Sequence, residues 1–376
     1  MRTYTAVFSA LIFSLSAVFS LSLPRPAAAG PALLFEPSNG KVLYAEDPDN
    51  LWHPASLTKI MTAYLAFEAV KQGKLKLEDK IPCSLVATLQ PPSKIGLNVG
   101  GELSVDLALQ ALIVKSANDV SVMLAEAISG SETAFVEKMN VAAKKLGMSR
   151  TSFVNTNGLP DPGQITTARD LAKLARAVIT EYPEFAHYWS APDMRLGKRR
   201  LGSHNALLRS FPGADGLKTG FTCESGFNVV ASATRDGRRL MAVVLGETSG
   251  NERAVRAASL LEHGFQSYSW KELFNQTNID NLPADPAAKG ITTVRETVVS
   301  WDCGRGRPRA RNTVVARNKA LKAKVAAVKA KGAAKKKGGE IQEARPALKG
   351  TQVTPAAATA SPPRSAAAQT AAPKAP

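Results

Sequence analysis

Short apolar segments joined by tight-turn sequences predict an antiparallel sheet. An Asn-Gly pair at residues 39–40 lies between the apolar segments 32–35 and 41–44, and an Asp-Gly pair at 236–237 lies between two longer ones. Glycine, asparagine and aspartate tolerate the positive φ angles that two-residue hairpin turns require. We therefore expect a β-hairpin at each pair, and hence antiparallel strands.

Three other segments have the spacing of amphipathic helices. Residues 56–70, 105–114 and 251–265 place apolar side chains three and four positions apart, as at Ile60 and Tyr64. Helices of this kind bury one face against a sheet or against each other. The pattern predicts an α/β fold of the α+β type, in which an antiparallel sheet is flanked by helices and an all-helical cluster lies beside it.

The beginning of the chain has the pattern of a secretory signal peptide. Arg2 precedes an apolar stretch at 6–23, and the small residues Ala27–Ala29 follow it. Serines within the stretch and Pro24 at its end favour cleavage over retention as a membrane anchor. We expect residues 1–29 to be removed and the protein to be exported to the periplasm or cell envelope.

The rest of the chain divides by composition. Residues 30–275 have an ordinary globular composition and a length suited to one domain. Residues 276–303 are predicted to be a linker, and residues 304–376 form a tail rich in Ala, Pro and Lys. Few large apolar side chains follow Trp301, so the tail cannot bury enough surface to offset the entropy of ordering. We expect the chain beyond Asn275 to be disordered.

The positive charge of the chain is confined to its two ends. The formal net charge is +17, to which the tail contributes 17 Lys and Arg against two Glu, and the signal segment two Arg. Residues 30–303 are therefore neutral overall, which argues against a nucleic-acid-binding domain. Export also argues against DNA as a partner of the tail. The tail is expected either to hold an anionic membrane or cell-wall surface, with an attraction that salt weakens, or simply to keep the protein soluble.

Three cysteines are too few and too widely spaced for the disulfide framework of a small secreted domain. Free thiols at Cys83 and Cys223 are the preferred interpretation, and a bridge between Cys83 and Cys303 stays open as the alternative. Neither the cysteines nor the four histidines have the spacing of metal ligands. We expect no metal ion and no organic cofactor.

Three short motifs follow one another within the predicted domain. Ser56 and Lys59 are about one helical turn apart, so the lysine amine can approach the serine hydroxyl. A Ser-Ala-Asn cluster at 116–118 ends a strongly apolar segment, where polar side chains are unusual for plain core. A Lys-Thr-Gly sequence at 218–220 precedes a strand-like segment, and its glycine allows a ligand to approach the backbone closely. Each motif alone is more often structural, but their coincidence favours one shared site.

These motifs resemble the three signatures of the penicillin-binding and serine β-lactamase superfamily. The surrounding sequence, including Thr-Ala-Arg-Asp at 167–170 and Asp-Gly-Leu-Lys-Thr-Gly at 215–220, is similar to low-molecular-mass DD-carboxypeptidases over residues 32–270. The resemblance implies a β-lactamase/transpeptidase-like fold. It also implies removal of the last residue from peptidoglycan stem peptides ending in D-Ala-D-Ala, a part in cell-wall maturation and cell shape, and covalent inhibition by β-lactams.

The resemblance assigns a role to each motif residue. Ser56 is the acylated nucleophile, Lys59 accepts its proton, and Ser116 relays the proton to the leaving amine. A neutral lysine needs a lowered pKa, which burial and the nearby charge of Lys218 would both supply. The residues implied to bind substrate are Asn118, Lys218, Thr219, Gly220, Phe221 and Arg253.

The strand that follows Lys218 is implied to bind the peptide by strand addition, with Arg253 at the terminal carboxylate. A solvated arginine on the surface of a helix is the competing interpretation of Arg253. The backbone amides of Ser56 and Phe221 are implied to form an oxyanion hole. Phe221 and Cys223 stand where polar residues are also used in the family, and the small β-rich second domain that often follows has no counterpart in this sequence.

Three alternatives fit parts of the pattern. A β-lactamase would share the motifs, but class A enzymes deacylate with a glutamate in a Glu-x-x-Leu-Asn segment, which residues 157–180 do not contain. A DD-endopeptidase would apply the same chemistry to cross-links, which lack the free carboxylate that Arg253 is implied to bind. An inert peptidoglycan-binding protein would not need every catalytic position. The sequence favours the carboxypeptidase and leaves the endopeptidase as the alternative.

Overall fold

A five-stranded antiparallel sheet forms the centre of the fold. The computed structural model describes residues 30–274, 277–298 and 303, so the predicted signal segment 1–29 and tail 304–376 lie outside the described residues. The strands are β1 (Ala32–Phe35), β2 (Val42–Glu46), β3 (Lys80–Pro82), β4 (Glu102–Ser104), β5 (Asp193–Leu196), β6 (Arg199–Gly202), β7 (Ala214–Thr222), β8 (Gly226–Arg235) and β9 (Arg238–Glu247). The main sheet has the order β2-β1-β9-β8-β7, which leaves β7 at one edge.

Both predicted hairpins belong to this sheet. β1 pairs with β2, and β8 pairs with β9. Asp236 and Gly237 connect β8 to β9 with φ angles of 50° and 75°, the positive range that a two-residue turn requires. β9 also pairs with β1, and β7 pairs with β8, all antiparallel. The prediction of an antiparallel sheet is confirmed.

Helices cover both faces of the sheet. They are α1 (Lys59–Lys71), α2 (Leu85–Thr88), α3 (Val105–Gln110), α4 (Asn118–Ser129), α5 (Glu132–Lys145), α6 (Ala168–Glu181), α7 (Ala186–Ser190), α8 (Leu207–Ser210) and α9 (Gly250–Phe274). On one face, Leu261 of α9 belongs to a buried cluster with Leu34 of β1. On the other face lies α6, and Leu33 belongs to the larger core there. Neighbouring residues of β1 therefore point to opposite faces, as the pleat of a strand requires.

The all-helical cluster surrounds α1. This helix contacts α4, α5 and α6, and ten of its 13 residues are buried, so the lysine at its first position lies inside the protein. The predicted helix 56–70 corresponds to a 3-10 turn, Ala55–Thr58, followed by α1. The predicted helix 105–114 corresponds to α3 and a π-helical turn, Ala111–Lys115. The sheet with helices on its faces and a helical cluster beside it confirms the predicted fold class.

Residues 277–298 run along the surface of the domain after α9. The backbone N–H of Ile279 donates to the β1–β2 turn, and its side chain is buried. Arg169, which forms a buried ion pair with Asp49, also donates to the carbonyl oxygens at 282–283. The expectation of disorder beyond the domain does not hold for this segment. Backbone hydrogen bonds and one buried arginine hold it in place, so it needs few large apolar side chains of its own.

Cys223 and Cys303 form a disulfide, with their Cα atoms 5.5 Å apart. Cys83 is a buried free thiol, as expected, whereas the free thiol predicted at Cys223 and the alternative Cys83–Cys303 bridge are wrong. The reason is the path of the segment after α9. It returns past the β7–β8 turn, where Arg295 forms an ion pair with Glu224, 2.7 Å between the charged atoms. Nothing in the sequence links two cysteines that are 80 positions apart.

We expect the Cys303→Ser substitution to lower the free energy of unfolding by about 2–4 kcal/mol, because a disulfide that closes a long loop restricts the unfolded chain. Urea denaturation of the oxidised wild type and the variant measures this difference. Reductant should destabilise the wild type and leave the variant unchanged. Three free thiols in the denatured, unreduced wild type would show that the disulfide does not form.

Candidate active site

Seven of the nine predicted site residues line one cleft between β7 and the helical cluster. The cleft has a volume of about 580 Å³. The seven residues are Ser56, Ser116, Asn118, Thr219, Gly220, Phe221 and Arg253. The other two, Lys59 and Lys218, are buried beside the cleft with 0% and 2% of their surface exposed. The fold thus brings three motifs that are far apart in the sequence to one place.

The first pair in the cleft is Ser56 and Lys59. Ser56 lies in the 3-10 turn that precedes α1, and Lys59 is the first residue of that helix. Lys59 Nζ lies 3.1 Å from Ser56 Oγ, 2.8 Å from Asn118 Oδ1 and 2.6 Å from the backbone oxygen of Asn157. Asn118 donates its own Nδ2 to the carbonyl of Pro91, which turns its oxygen toward the lysine. The amine therefore has three hydrogen-bonding partners among the described residues, and none of them is acidic.

These neighbours fit an uncharged amine. Two of them are carbonyl oxygens, which only accept, whereas the third is a hydroxyl, which can also donate. A neutral Lys59 can donate its two N–H bonds to Asn118 and Asn157 and keep its lone pair for the proton of Ser56. Burial and the positive charge of Lys218 lower the pKa of Lys59 well below its usual value, and only a nearby aspartate opposes them. Lys59 is thus placed to act as a base.

Ser116 and Lys218 form the second pair. Lys218 Nζ donates to Ser116 Oγ at 2.9 Å and to the backbone oxygen of Thr219 at 3.0 Å. Ser116 follows the π-helical turn with a left-handed backbone, φ 60° and ψ 39°. That conformation costs a residue other than glycine about 1–2 kcal/mol and is typical of functional sites. Burial and the charge of Arg253 lower the pKa of Lys218 to about 7, so an anion bound nearby would favour its charged form.

Gly220 lets the edge strand approach the nucleophile. β7 contacts the 3-10 turn that carries Ser56. A Cβ atom on Gly220 would lie 2.9 Å from the carbonyl oxygen of Pro54 and 3.0 Å from the backbone nitrogen of Ser56. Only glycine fits between these two backbones without a shift. Because β7 is an edge strand, its outer side is open to an extended ligand in the cleft.

An aromatic pair and an arginine border the cleft beyond Gly220. Phe221 and Phe227 are opposite each other on β7 and β8, with ring centroids 4.2 Å apart. The guanidinium of Arg253 lies 5.8 Å from the Phe227 ring centroid and donates to the carbonyl oxygen of His204. Arg253 is 8% exposed and forms no ion pair with an Asp or Glu among the described residues. Its location in the cleft rules out the interpretation as a solvated helix arginine.

The ionisable side chains that line the cleft, and the two lysines buried beside it, are basic rather than acidic. Lys115, His204 and Arg253 line it, Lys59 and Lys218 lie beside it, and its lining contains no Asp or Glu. Desolvation and the charges of Lys218, Lys115 and Arg253 lower the pKa of His204 to about 4. Across residues 30–274, 277–298 and 303, no group of three or more His, Cys, Asp or Glu could hold a metal ion. The cleft suits an anionic ligand.

Sequence reasoning missed the residues that act through their backbone. Asn157 supplies a carbonyl oxygen to Lys59, and Gly158 has a φ of 83°. A Cβ atom on Gly158 would lie 1.7 Å from the carbonyl oxygen of Ala55 in the nucleophile turn. The Asn-Gly pair at 157–158 was a signal for a turn with positive φ. It could not show that this turn meets Lys59, because that contact depends on how the chain folds.

A serine beside a buried lysine, a second serine–lysine pair and an edge strand that carries Lys-Thr-Gly define the site of a penicillin-binding or serine β-lactamase fold. The family described as D-alanyl-D-alanine carboxypeptidase, peptidase family S11, matches residues 18–249. The chain belongs to this family.

Individual relatives agree with this assignment. The D-alanyl-D-alanine carboxypeptidase DacF of Bacillus subtilis is 38% identical over 253 residues, which are 65% of this chain and 65% of that protein. Penicillin-binding protein 5 of Haemophilus influenzae is 37% identical, with a TM-score of 0.62 over 65% of this chain and 72% of that one. Penicillin-binding protein D2 of Listeria monocytogenes, in its cefotaxime-bound form, is 35% identical, with a TM-score of 0.58 over 63% of this chain and 97% of that one. The chain thus spans less than two thirds of the length of the Bacillus relative.

We expect the Gly220→Ala substitution to slow acylation of Ser56 by a fluorescent penicillin about 100-fold, because a shift of about 1 Å at the nucleophile turn removes the reactive geometry. The rate of labelling in a gel assay measures this effect. Gly202→Ala is the matched control, because a Cβ atom there meets nothing within 4 Å. Labelling of Gly220→Ala at the wild-type rate would contradict the close approach of β7 to Ser56.

Proposed function

We propose that this protein is an exported serine-type D-alanyl-D-alanine carboxypeptidase that removes the terminal D-alanine from peptidoglycan stem peptides. The observation that carries the proposal is the 3.1 Å contact between Ser56 Oγ and the buried amine of Lys59. This contact places a nucleophile beside a base whose pKa is lowered, which is what acyl-enzyme chemistry at neutral pH requires. Membership of the carboxypeptidase family supports the choice of substrate.

The acyl-enzyme would form by attack of Ser56 Oγ on the carbonyl carbon of the penultimate D-alanine, while Lys59 takes the hydroxyl proton. Backbone amides of Ser56 and Phe221 would stabilise the negative charge on the carbonyl oxygen. Collapse of this intermediate breaks the amide bond, and the proton passes from Lys59 through Ser116 to the amine of the leaving D-alanine. Water then attacks the ester and gives a proton to Lys59, which returns it to Ser56 Oγ as the ester bond breaks.

Substrate binding would use the edge strand and the cations of the cleft. The peptide would add to the outer side of β7, with Asn118 as a further hydrogen-bonding partner. The carboxylate of the terminal D-alanine would bind Arg253, Thr219 and the charged form of Lys218. Arg253 suits this role because it is buried in the cleft without an acidic partner among the described residues.

β-Lactams would act as covalent inhibitors of the same serine. Opening of the lactam ring by Ser56 leaves an ester that water must hydrolyse. Class A β-lactamases speed this step with a glutamate and a water molecule, and residues 157–180 contain no Glu-x-x-Leu-Asn segment. The penicilloyl-enzyme should therefore be long-lived.

The disulfide and the ends of the sequence support a location outside the cytoplasm. A disulfide such as Cys223–Cys303 persists in an oxidising compartment, in keeping with a signal peptide at 1–29. Within 30–274 and 277–298, no helix is long and apolar enough to cross a membrane. The charge of the tail, residues 304–376, would attract an anionic envelope surface, and this attraction should weaken as salt rises.

We expect the Arg253→Gln substitution to lower kcat/KM for release of D-alanine from a D-Ala-D-Ala peptide about 30-fold, because a charge-assisted hydrogen bond to the terminal carboxylate contributes roughly 2 kcal/mol. The same peptide with a C-terminal carboxamide should be a poor substrate for the wild type, and the substitution should lower its kcat/KM little further. Release of D-alanine from the peptide, and of D-alaninamide from its carboxamide, at several substrate concentrations measures both effects.

Arg256→Gln is the matched control, because this arginine lies on the same helix but pairs with Glu46 and Glu247 instead of facing the cleft. Ser56→Ala should release no D-alanine. An enzyme that releases no D-alanine, but cleaves cross-linked peptides and is indifferent to Arg253→Gln, would instead be the DD-endopeptidase.

A further inference from the structure

The hairpin of β5 and β6 is a concentrated patch of positive charge. Residues 193–209 contain Arg195, Lys198, Arg199, Arg200 and Arg209 against a single acidic residue, an aspartate at the first position. All five cationic side chains are exposed. A net charge of +4 over so short a stretch is unusual in a domain that is neutral overall. We call residues 193–209 the basic hairpin segment.

The cations of this segment are largely without anionic partners. Arg200 forms an ion pair with Asp193 at 2.6 Å, and its side chain is 72% exposed. The hydrogen bond from Arg200, together with the charges of Arg195 and Arg209, lowers the pKa of Asp193, so three guanidinium groups share one carboxylate. Arg209 otherwise donates to backbone oxygens. Neither Lys198 nor Arg195 forms an ion pair within the described residues, and the same holds for Arg199.

The basic hairpin segment adjoins the leaving-group end of the cleft. β5 and β6 both contact the π-helical turn that ends at Lys115, directly before Ser116. After β6 the chain reaches His204, which lines the cleft and accepts a hydrogen bond from Arg253 through its carbonyl oxygen. In the proposed reaction, Ser116 and Arg253 hold the amine and the carboxylate of the departing D-alanine. The exposed cations therefore continue the positive charge of the cleft outward from that end.

We propose that the basic hairpin segment is a docking surface for a second, carboxylate-bearing stem peptide of the peptidoglycan polymer, next to the peptide whose D-alanyl-D-alanine end occupies the cleft. This inference rests on the proposed function. A departing D-alanine has one carboxylate, and Arg253 already serves it, so the additional cations have no partner in a small substrate. A polymer brings neighbouring peptides with carboxylates of their own to this surface. Attraction between exposed charges of this kind is modest for each pair and adds up over several pairs.

The test compares two substrates in the full-length enzyme. One is a short soluble peptide that ends in D-Ala-D-Ala and has no other carboxylate, and the other is isolated peptidoglycan sacculi. The variant replaces three exposed cations that form no ion pair within the described residues by glutamine, Arg195→Gln, Lys198→Gln and Arg199→Gln. The matched control removes three exposed cations from α5, Lys138→Gln, Lys144→Gln and Lys145→Gln, which do not line the cleft.

We expect the hairpin variant to release D-alanine from sacculi about fivefold more slowly at low salt. The reason is that it loses three exposed charge pairs with the polymer, each of modest strength. Its rate on the soluble peptide and its acylation by penicillin should stay within about twofold of the wild type, which shows that it is folded. The control variant should match the wild type on both substrates. High salt should slow the wild type on sacculi and have little effect on the hairpin variant.

Equal losses on both substrates, or no loss on sacculi, would overturn the docking surface. Loss of binding to phosphatidylglycerol vesicles with an unchanged rate on sacculi would assign the surface to a membrane instead and would also overturn it. If the wild type releases no D-alanine from the soluble peptide, the proposed function itself fails, which is a separate result.

Discussion

Burial of the Lys59 amine is the constraint on which the rest of the site depends. An ammonium ion taken out of water without an anion costs several kcal/mol, so a lysine in this position favours its neutral form. Three parts of the chain meet to supply hydrogen-bonding partners to this amine. The nucleophile turn contributes Ser56, α4 contributes Asn118, and the loop before α6 contributes the carbonyl oxygen of Asn157. The edge strand adds Lys218, whose positive charge disfavours protonation of the Lys59 amine. Packing around α1 therefore fixes both the geometry and the protonation state of the base.

Local signals in the sequence predicted much of this arrangement. Both turns with Asn-Gly or Asp-Gly join the strands that they were expected to join, and the spacing of Ser56 and Lys59 places them in contact. The sequence could not reveal the contributions that depend on tertiary path. The oxygen supplied by Asn157 belongs to the backbone, so side-chain identity does not encode it. The disulfide between Cys223 and Cys303 exists because the segment after α9 returns to the β7–β8 turn, and nothing in the composition of that segment predicts its route.

Positive charge has two different roles in this protein. Beside the cleft, Lys59 and Lys218 are both desolvated. The charge of Lys218 lowers the pKa of Lys59 and the charge of Arg253 lowers the pKa of Lys218, which creates a base and leaves an anion as the favoured ligand. On the surface, the cations of the basic hairpin segment remain solvated, so they add long-range attraction without a large desolvation cost. The domain is neutral as a whole, and the placement of its charges matters more than their sum. This arrangement fits the proposed function, in which the enzyme works on an anionic polymer but reacts with one peptide end at a time.

Direct titration of the Lys59 side chain by NMR tests the central claim most directly. The account predicts a pKa well below the value of about 10.4 for a solvated lysine, and a rise in this pKa in the Lys218→Gln variant, because the substitution removes a positive charge that opposes protonation. Lys115→Gln should leave it nearly unchanged, since Lys115 is not among the charges that lower the pKa of Lys59. A Lys59 that titrates near 10.4 and is indifferent to Lys218→Gln would contradict the account.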